Sequence, residues 1–282
     1  MSDMATLRES GASGIQQLAR LAYEQFGLDL REGKEGLISS RLGKPMRARG
    51  IESLEKYCAF VQADRSGEAL TELIDALTTN HTSFFRESKH FDFLQEVAFP
   101  AWRRLRNIQI WSAACSSGEE PYSLAMTMLE HLGPEGAGAQ ILATDISTRV
   151  LLTAAKGLYP EDSFPKPLPG WLTKYLLRGR GSFEGWFQVK PNVRRMIQFE
   201  QVNLIRPIPT RPLFAAIFCR NVMIYFDRAT QEQVVNRLAA FLEPGGYLFV
   251  GHSESLSGVR HSLEYVRPAT YRKPRVGAGD KS

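Results

Sequence analysis

Three short stretches of this 282-residue chain hold residue types that could do chemistry. The first is Cys115-Ser116-Ser117-Gly118-Glu119-Glu120, which follows a short apolar run. Dinucleotide sites place several glycines at such a turn so that the backbone can approach a pyrophosphate. Here one glycine stands beside two carboxylates. Their charge would oppose a pyrophosphate and favour a ligand carrying an ammonium or a sulfonium. The same glutamates also suit a helix N-terminus, where the macrodipole stabilises acids. The second stretch ends in Asp145, 27 residues after Gly118, at the close of another apolar run. A carboxylate there can accept hydrogen bonds from both hydroxyls of a ribose, or cap the helix that follows. The third, Arg220-Asn221-Val222, ends the apolar run Leu213–Cys219.

Other reactive residue types are less informative. The five histidines, at 81, 90, 131, 252 and 261, form no ligand-spaced pair, and His252 reads as a structural residue of a Gly-His-Ser-Glu turn. Cys58, Cys115 and Cys219 are widely spaced with no metal-type pairing. Two of them sit in apolar runs, where buried, reduced thiols are expected. No metal is expected.

The elements that must position these residues change character along the chain. The first 80 residues read as all-helical. Apolar positions recur at three- and four-residue steps through 15–26, again through Leu54, Tyr57, Cys58 and Val61 after a Ser53 cap, and again through Leu70, Leu73, Ile74 and Leu77. Between them, 37–49 looks helical but is expected to break at Gly43 and Pro45, because an interior proline removes a hydrogen bond. From Ile108 the pattern becomes strand (108–115), helix (120–129), strand (140–145), helix (148–156), the signature of a parallel βαβ unit. A buried strand (213–219), an amphipathic helix (231–242), a stop at Pro244-Gly245-Gly246 and a strand (247–250) follow. The intervening Gly-, Pro- and aromatic-rich stretch alternates at Trp186–Val189 and reads as a small β-rich insertion. In open α/β sheets ligands bind beyond the carboxyl ends of the strands, and Ser116–Glu120, Asp145 and Arg220–Val222 all stand there.

Composition excludes several classes. With 43% hydrophobic and 23% charged residues the chain is ordinary globular protein, neither disordered nor collagen-like. No apolar run reaches the roughly 18–20 residues of a membrane span. The opening residues do not resemble a signal segment, and a reducing cytoplasm is the expected location. The net charge of +5 is unevenly spread: residues 1–80 hold 10 basic and 12 acidic side chains. Residues 166–206 hold Lys166, Lys174, Arg178, Arg180, Lys190, Arg194, Arg195 and Arg206 against Glu184 and Glu200. This local surplus suits acidic partners but lacks the dense Lys/Arg run of a nucleic-acid footprint.

Four motifs occur in order: Thr78-Thr-Asn-His-Thr-Ser-Phe-Phe-Arg-Glu87, Trp111-Ser-Ala-Ala-Cys-Ser-Ser-Gly-Glu-Glu-Pro-Tyr-Ser123, Cys219-Arg-Asn-Val-Met-Ile-Tyr-Phe-Asp227 and Gly251-His-Ser-Glu-Ser255. Together they closely resemble the chemotaxis-receptor glutamate methyltransferases, the CheR-type family, from about residue 15 to 272. The resemblance implies a helical receptor-docking domain (1–85) and an α/β, Rossmann-like class I methyltransferase domain (86–275). It also implies an inserted antiparallel β-subdomain (160–200), and the frayed end at 273–282 reads as a tail. It implies S-adenosylmethionine as methyl donor and S-adenosylhomocysteine as product. The partners implied are cytoplasmic helical bundles of methyl-accepting receptors, met by a monomer with no nucleic acid and no membrane insertion.

By the same resemblance, Asn80, Thr82 and Arg86 contact the cofactor, Arg86 suiting its methionine carboxylate. Glu119 or Glu120 holds its ammonium, Asp145 its ribose, and Asn203 and Leu204 flank its adenine. Asn221 and Val222 lie beside the transferring methyl group. Tyr225 faces the reaction centre, and Arg103 is a second candidate for orienting the substrate carboxylate. Receptor docking falls to Arg41, Lys44, Arg47 and Arg49. Arg178 and Arg180, in Arg178-Gly-Arg-Gly-Ser-Phe-Glu-Gly185, resemble the type that tethers a receptor's C-terminal pentapeptide.

Overall fold

The computed structural model describes residues 2–30, 35–103, 105, 107–133 and 138–275. The tail expected at 273–282 therefore lies mostly outside the described residues. The chain divides into two compact units, one of Met1–Asn80 with Tyr225–Thr230, the other of His81–Ile224 with Gln231–Ser282.

The first unit is helical: α1 (Ser2–Phe26), α2 (Glu35–Ala48), α3 (Leu54–Ala63) and α4 (Glu68–Leu77). Ser53 caps α3 as its type predicts, its hydroxyl accepting from Lys56 N at 3.3 Å. Leu18, Ala22, Ile38, Leu42, Tyr57 and Leu73 meet as the core. One expectation fails here. α2 runs unbroken through Gly43 and Pro45. An interior proline costs about 3 kcal/mol, but Ile38 and Leu42 are fully buried, and each such side chain contributes about 1.5–3 kcal/mol. Burial outweighs the local penalty. The segment 225–230 joins this unit through a Leu28–Phe226 bridge, Asp29 N donating to Tyr225 O, and Tyr23 donating to Asp227.

In the second unit α5 (Lys89–Phe93), a π-helical turn (Leu94–Ala98) and α6 (Phe99–Trp102) form one continuous helix. Strands β1 (Gln109–Ser112) and β2 (Gln140–Asp145) flank α7 (Glu119–Leu132), and α8 (Thr148–Lys156) leads to β3 (Leu158–Pro160). β4 (Leu176–Arg178) and β5 (Trp186–Val189) follow, then α9 (Pro191–Arg194) and β6 (Ile197–Gln201). β7 (Phe214–Phe218), α10 (Arg228–Ala240), β8 (Leu242–Phe249), β9 (Glu264–Arg267) and β10 (Thr270–Arg272) complete the chain. The large sheet has the order β6-β2-β1-β7-β8-β10-β9; its first five strands are parallel and β10 is reversed. Sequence order changes direction between β1 and β7, which opens a crevice at their carboxyl ends. β3, β5 and β4 form a separate antiparallel sheet. This is the open α/β architecture with an inserted β-subdomain that the resemblance implies.

β7 is buried along its whole length, as a continuous apolar run between two parallel neighbours should be. The stop expected at Pro244-Gly245-Gly246 is instead a bulge inside β8: Phe214 pairs with Leu242, but Ala216 with Tyr247. A Cβ on Gly246 would lie 3.0–3.1 Å from the carbonyls of Glu243, Phe214 and Ala215, so any larger residue would have to push the backbone of the bulge apart by a few tenths of an ångström.

Candidate functional site

The crevice is built from the loops after β1, β2 and β7. After β1 the chain turns through Ser116 (φ 49°) and Gly118 (φ 99°) into α7. A Cβ on Gly118 would sit 2.7 Å from Ala154 Cβ and Tyr159 Oη. This glycine therefore serves packing against α8 and β3. The turn is tied down by Tyr159, donating to Ser117 O, and by Asp145, whose Oδ2 accepts from Ser116 N at 2.9 Å. Oδ1 of Asp145 accepts from Ser147 N at 3.0 Å. Asp145 thus locks both loops at the carboxyl ends of β1 and β2.

The paired glutamates divide. Glu120 points into protein: Oε1 accepts from Ser112 Oγ at 2.6 Å and Oε2 from Arg220 Nη1 at 2.9 Å. Burial pushes its carboxyl upward, with Arg220 opposing. Glu119, 8% exposed, accepts from the neutral hydroxyl of Ser117 at 2.7 Å, and burial raises its carboxyl too. A buried carboxylate held by a hydroxyl gains from a cationic ligand.

At the end of β7, Arg220 buries its guanidinium against Glu120 and Glu87; its Nη2 lies 2.9 Å from Glu87 Oε2 and also donates to Arg86 O. Burial works to raise the Glu87 carboxyl, but Arg220 and three hydrogen bonds hold it below its ordinary value. Asn221 follows at φ 57° with Val222 half-buried beside it. Glu254, from the loop after β8, accepts four backbone N–H groups: Gly251 and Asn221 on Oε2, Met223 and Ile224 on Oε1. Sequence spacing assigns no role to Glu87, Arg220 or Glu254, although each lies in a quoted motif. The available signal is the opposite charge of Glu120 and Arg220 at two strand ends.

His90, fully buried, packs edge-on to Phe249 and 4.9 Å from the His252 ring. Burial and Arg220 pull it down to about 3, so it is neutral. Glu87, His90 and His252 place potential ligand atoms within 4.8 Å of one another. However, both Glu87 oxygens already serve Arg220, Asn221 and His252 N, and a dication would stand beside a guanidinium.

The remaining expected residues are placed as follows. Thr82 is half-buried; Arg86 is too, and donates to His81 O at 2.8 Å. Leu204 is buried, and Asn203 accepts from Ile205 N at 3.2 Å. Arg103 is exposed at the end of α6, ahead of the amino end of β1, and so is not gathered with the strand-end loops. In the helical unit, Asn80 donates to Asp75, and Tyr225 Oη accepts from Thr79 N at 3.1 Å. Lys44 and Arg47 are exposed, but Arg41 donates to Leu77 O and Thr79 Oγ1, and Arg49 pairs with Glu72 at 2.7 Å. Arg178 pairs with Glu161 at 2.6 Å and lies over Phe187, while Arg180 is exposed.

These features fit S-adenosylmethionine by donor chemistry: a buried carboxylate for a cation, and a strand-end aspartate for a ribose. A family model described as "CheR methyltransferase, SAM binding domain" matches residues 80–272, and one described as "CheR methyltransferase, all-alpha domain" matches 13–78. The chain is 42% identical over 269 residues to the chemotaxis protein methyltransferase of Borreliella burgdorferi, covering 92% of this chain and 93% of that one. It is 39% identical to the Salmonella typhimurium protein of that name, covering 87% and 84%. Chemotaxis protein methyltransferase 2 of Pseudomonas aeruginosa is also 39% identical, covering 91% of each. With both segments matched in order and these identities spanning most of its length, the chain belongs to the CheR family of S-adenosylmethionine-dependent chemotaxis methyltransferases.

Proposed function

We propose that the protein transfers the methyl group of S-adenosylmethionine to glutamate side chains of bacterial chemoreceptors in the cytoplasm, forming methyl esters. The observation that carries this reading is the division of Glu119 from Glu120. Glu120 is consumed by Ser112 and Arg220, which leaves Glu119 to take the cofactor's ammonium. Asp145 accepts from the ribose hydroxyls, Asn203 and Leu204 flank the adenine, and Arg86 with Thr82 holds the methionine end. When bound, S-adenosylmethionine supplies an electrophilic methyl on a positively charged sulfur.

A receptor glutamate titrates near 4.3, so at neutral pH it arrives as a carboxylate nucleophile. No general base is needed. What the chain contributes is alignment and exclusion of water. Asn221 and Val222 border the reacting centre.

For docking, Lys44 and Arg47 are exposed on an unbroken α2 and suit an acidic receptor helix, while Arg41 and Arg49 act mainly within their own unit. For tethering, β4 is an edge of the small sheet, with Leu177 and Phe183 exposed nearby. Strand addition there would seat a receptor's C-terminal pentapeptide, with Arg180 meeting its acidic side chains.

The test is transfer of radiolabelled methyl to receptor cytoplasmic domains, followed by alkali. Base-labile label on receptor glutamates is expected; base-stable label, or label on RNA or a small acid alone, overturns the reading.

A further inference from the structure

We propose that Glu87 and Glu254 are positioning residues for methyl transfer, which grip Asn221 by its side chain and its backbone respectively and so fix the turn at the end of β7. The inference rests on reading that turn as the border of the reacting centre.

Asn221 sits in the left-handed region, a conformation that costs an ordinary side chain about 1–2 kcal/mol. Asparagine tolerates this region better than most side chains, and the contacts around it fix it there. Two carboxylates do so here. Glu254 Oε2 accepts from Asn221 N at 2.8 Å, and its Oε1 accepts from Met223 N at 2.8 Å and Ile224 N at 3.3 Å. One side chain therefore satisfies the N–H groups that the strand leaves open at residues 221, 223 and 224. Glu254 itself is 8% exposed, so little water competes for its oxygens.

Glu87 works on the amide. Its Oε1 accepts from Asn221 Nδ2 at 3.3 Å and from His252 N at 3.1 Å. Its Oε2 faces Arg220, which holds the carboxylate ionised. An anion accepts only, so the Asn221 amide must present its NH2 to Glu87 and turn its carbonyl oxygen the other way. The orientation of the amide is set by charge. Gly251 completes the device: a Cβ there would lie 2.4 Å from Asn221 Nδ2 and 2.8 Å from Glu254 Oε2. The Gly251-His-Ser-Glu254 motif is thus a grip on a turn that begins 30 residues upstream.

Chemically, Glu254→Gln replaces one acceptor oxygen by an NH2 that must face N–H donors. Glu87→Gln lets the Asn221 amide rotate. Each variant is expected to lower kcat for receptor methylation at least tenfold at saturating S-adenosylmethionine. The Kd for S-adenosylhomocysteine, measured by calorimetry, should stay within threefold. A double-mutant cycle separates positioning from general damage: in an Asn221→Ala background, Glu87→Gln should change kcat less than twofold. Multiplicative effects, or loss of cofactor binding in step with kcat, overturn the proposal. A second readout needs no receptor. The Asn221 side-chain NH2 resonance, assigned by its absence in Asn221→Ala, should move in Glu87→Gln while the rest of the spectrum stays native. An unmoved resonance overturns the proposal; failed receptor methylation by the wild type with a moved resonance overturns only the functional reading.

Discussion

Arg220 is the residue on which the charges of the crevice turn. Its guanidinium joins Glu87 and Glu120, which lie 33 positions apart in sequence and more than 90 from it. Breaking a buried pair by removing one partner costs about 3–5 kcal/mol, because the other charge is left without compensation. Arg220→Met should therefore destabilise by that amount in urea unfolding, and a smaller loss would mean that water reaches the two glutamates. His90 adds a dependence on pH. Its native pKa lies near 3, below the ordinary 6.5, so the unfolded state binds the extra proton. Stability on this account is complete above about pH 6.5 and falls, by up to about 1.4 kcal/mol per pH unit, as pH drops toward 3. His90→Phe, set among Phe249 and His252, should flatten the difference in unfolding free energy between pH 7 and 5 relative to wild type. None of these partnerships could be read from spacing, since each joins loops distant in sequence. The carboxylates at the ends of β1 and β2 could be, because a strand-end acid declares itself locally.

Among the elements, agreement was closest where local patterning and caps decide the boundary. β2, α8 and β5 occupy the expected 140–145, 148–156 and 186–189, and Ser147 caps α8 through Val150 N. Disagreement arose where tertiary burial overrides a breaker. Pro45 lies inside α2, and Pro244-Gly245-Gly246 lies inside β8. Pro45→Ala restores a donor toward the Arg41 carbonyl, one turn back, and relieves the ring clash. It should raise the unfolding free energy by about 1–3 kcal/mol in denaturant titration. An unchanged midpoint would show that the helix has already relaxed around the ring. Gly246→Ala should act in the opposite sense, since its Cβ meets three carbonyls.

For the whole molecule, the basic surplus of 166–206 is smaller in effect than in count. Lys174 pairs with Glu130, Arg178 with Glu161, Arg194 donates to Ala155 O and Lys190 to Lys174 O. Much of that charge stitches the inserted sheet to its surroundings, which composition cannot distinguish from a free basic surface. Among the described residues no helix is long and apolar enough to cross a membrane. A ligand that binds only the folded state stabilises by about 2.7 kcal/mol at a hundredfold excess over Kd. S-adenosylhomocysteine at that excess should raise Tm by about 5–10 °C, at roughly 2–4 °C per kcal/mol. Asp145→Asn should remove most of that rise, as it keeps the shape but loses an acceptor for the ribose or for Ser116 N. A full shift in the variant would place the ribose elsewhere.

The π-helical turn Leu94–Ala98 has a consequence for chain length. Phe99 N reaches back five residues to Leu94 O, so the helix carries one residue more than its neighbouring turns require. Phe91 and Phe93 before the turn and Phe99 and Trp102 after it are all buried, while Glu96 and Val97 at the turn are exposed. Deleting Glu96 should let the turn relax to an ordinary α-helix with both aromatic groups still seated. This is a place where the chain can shorten without re-registering its core.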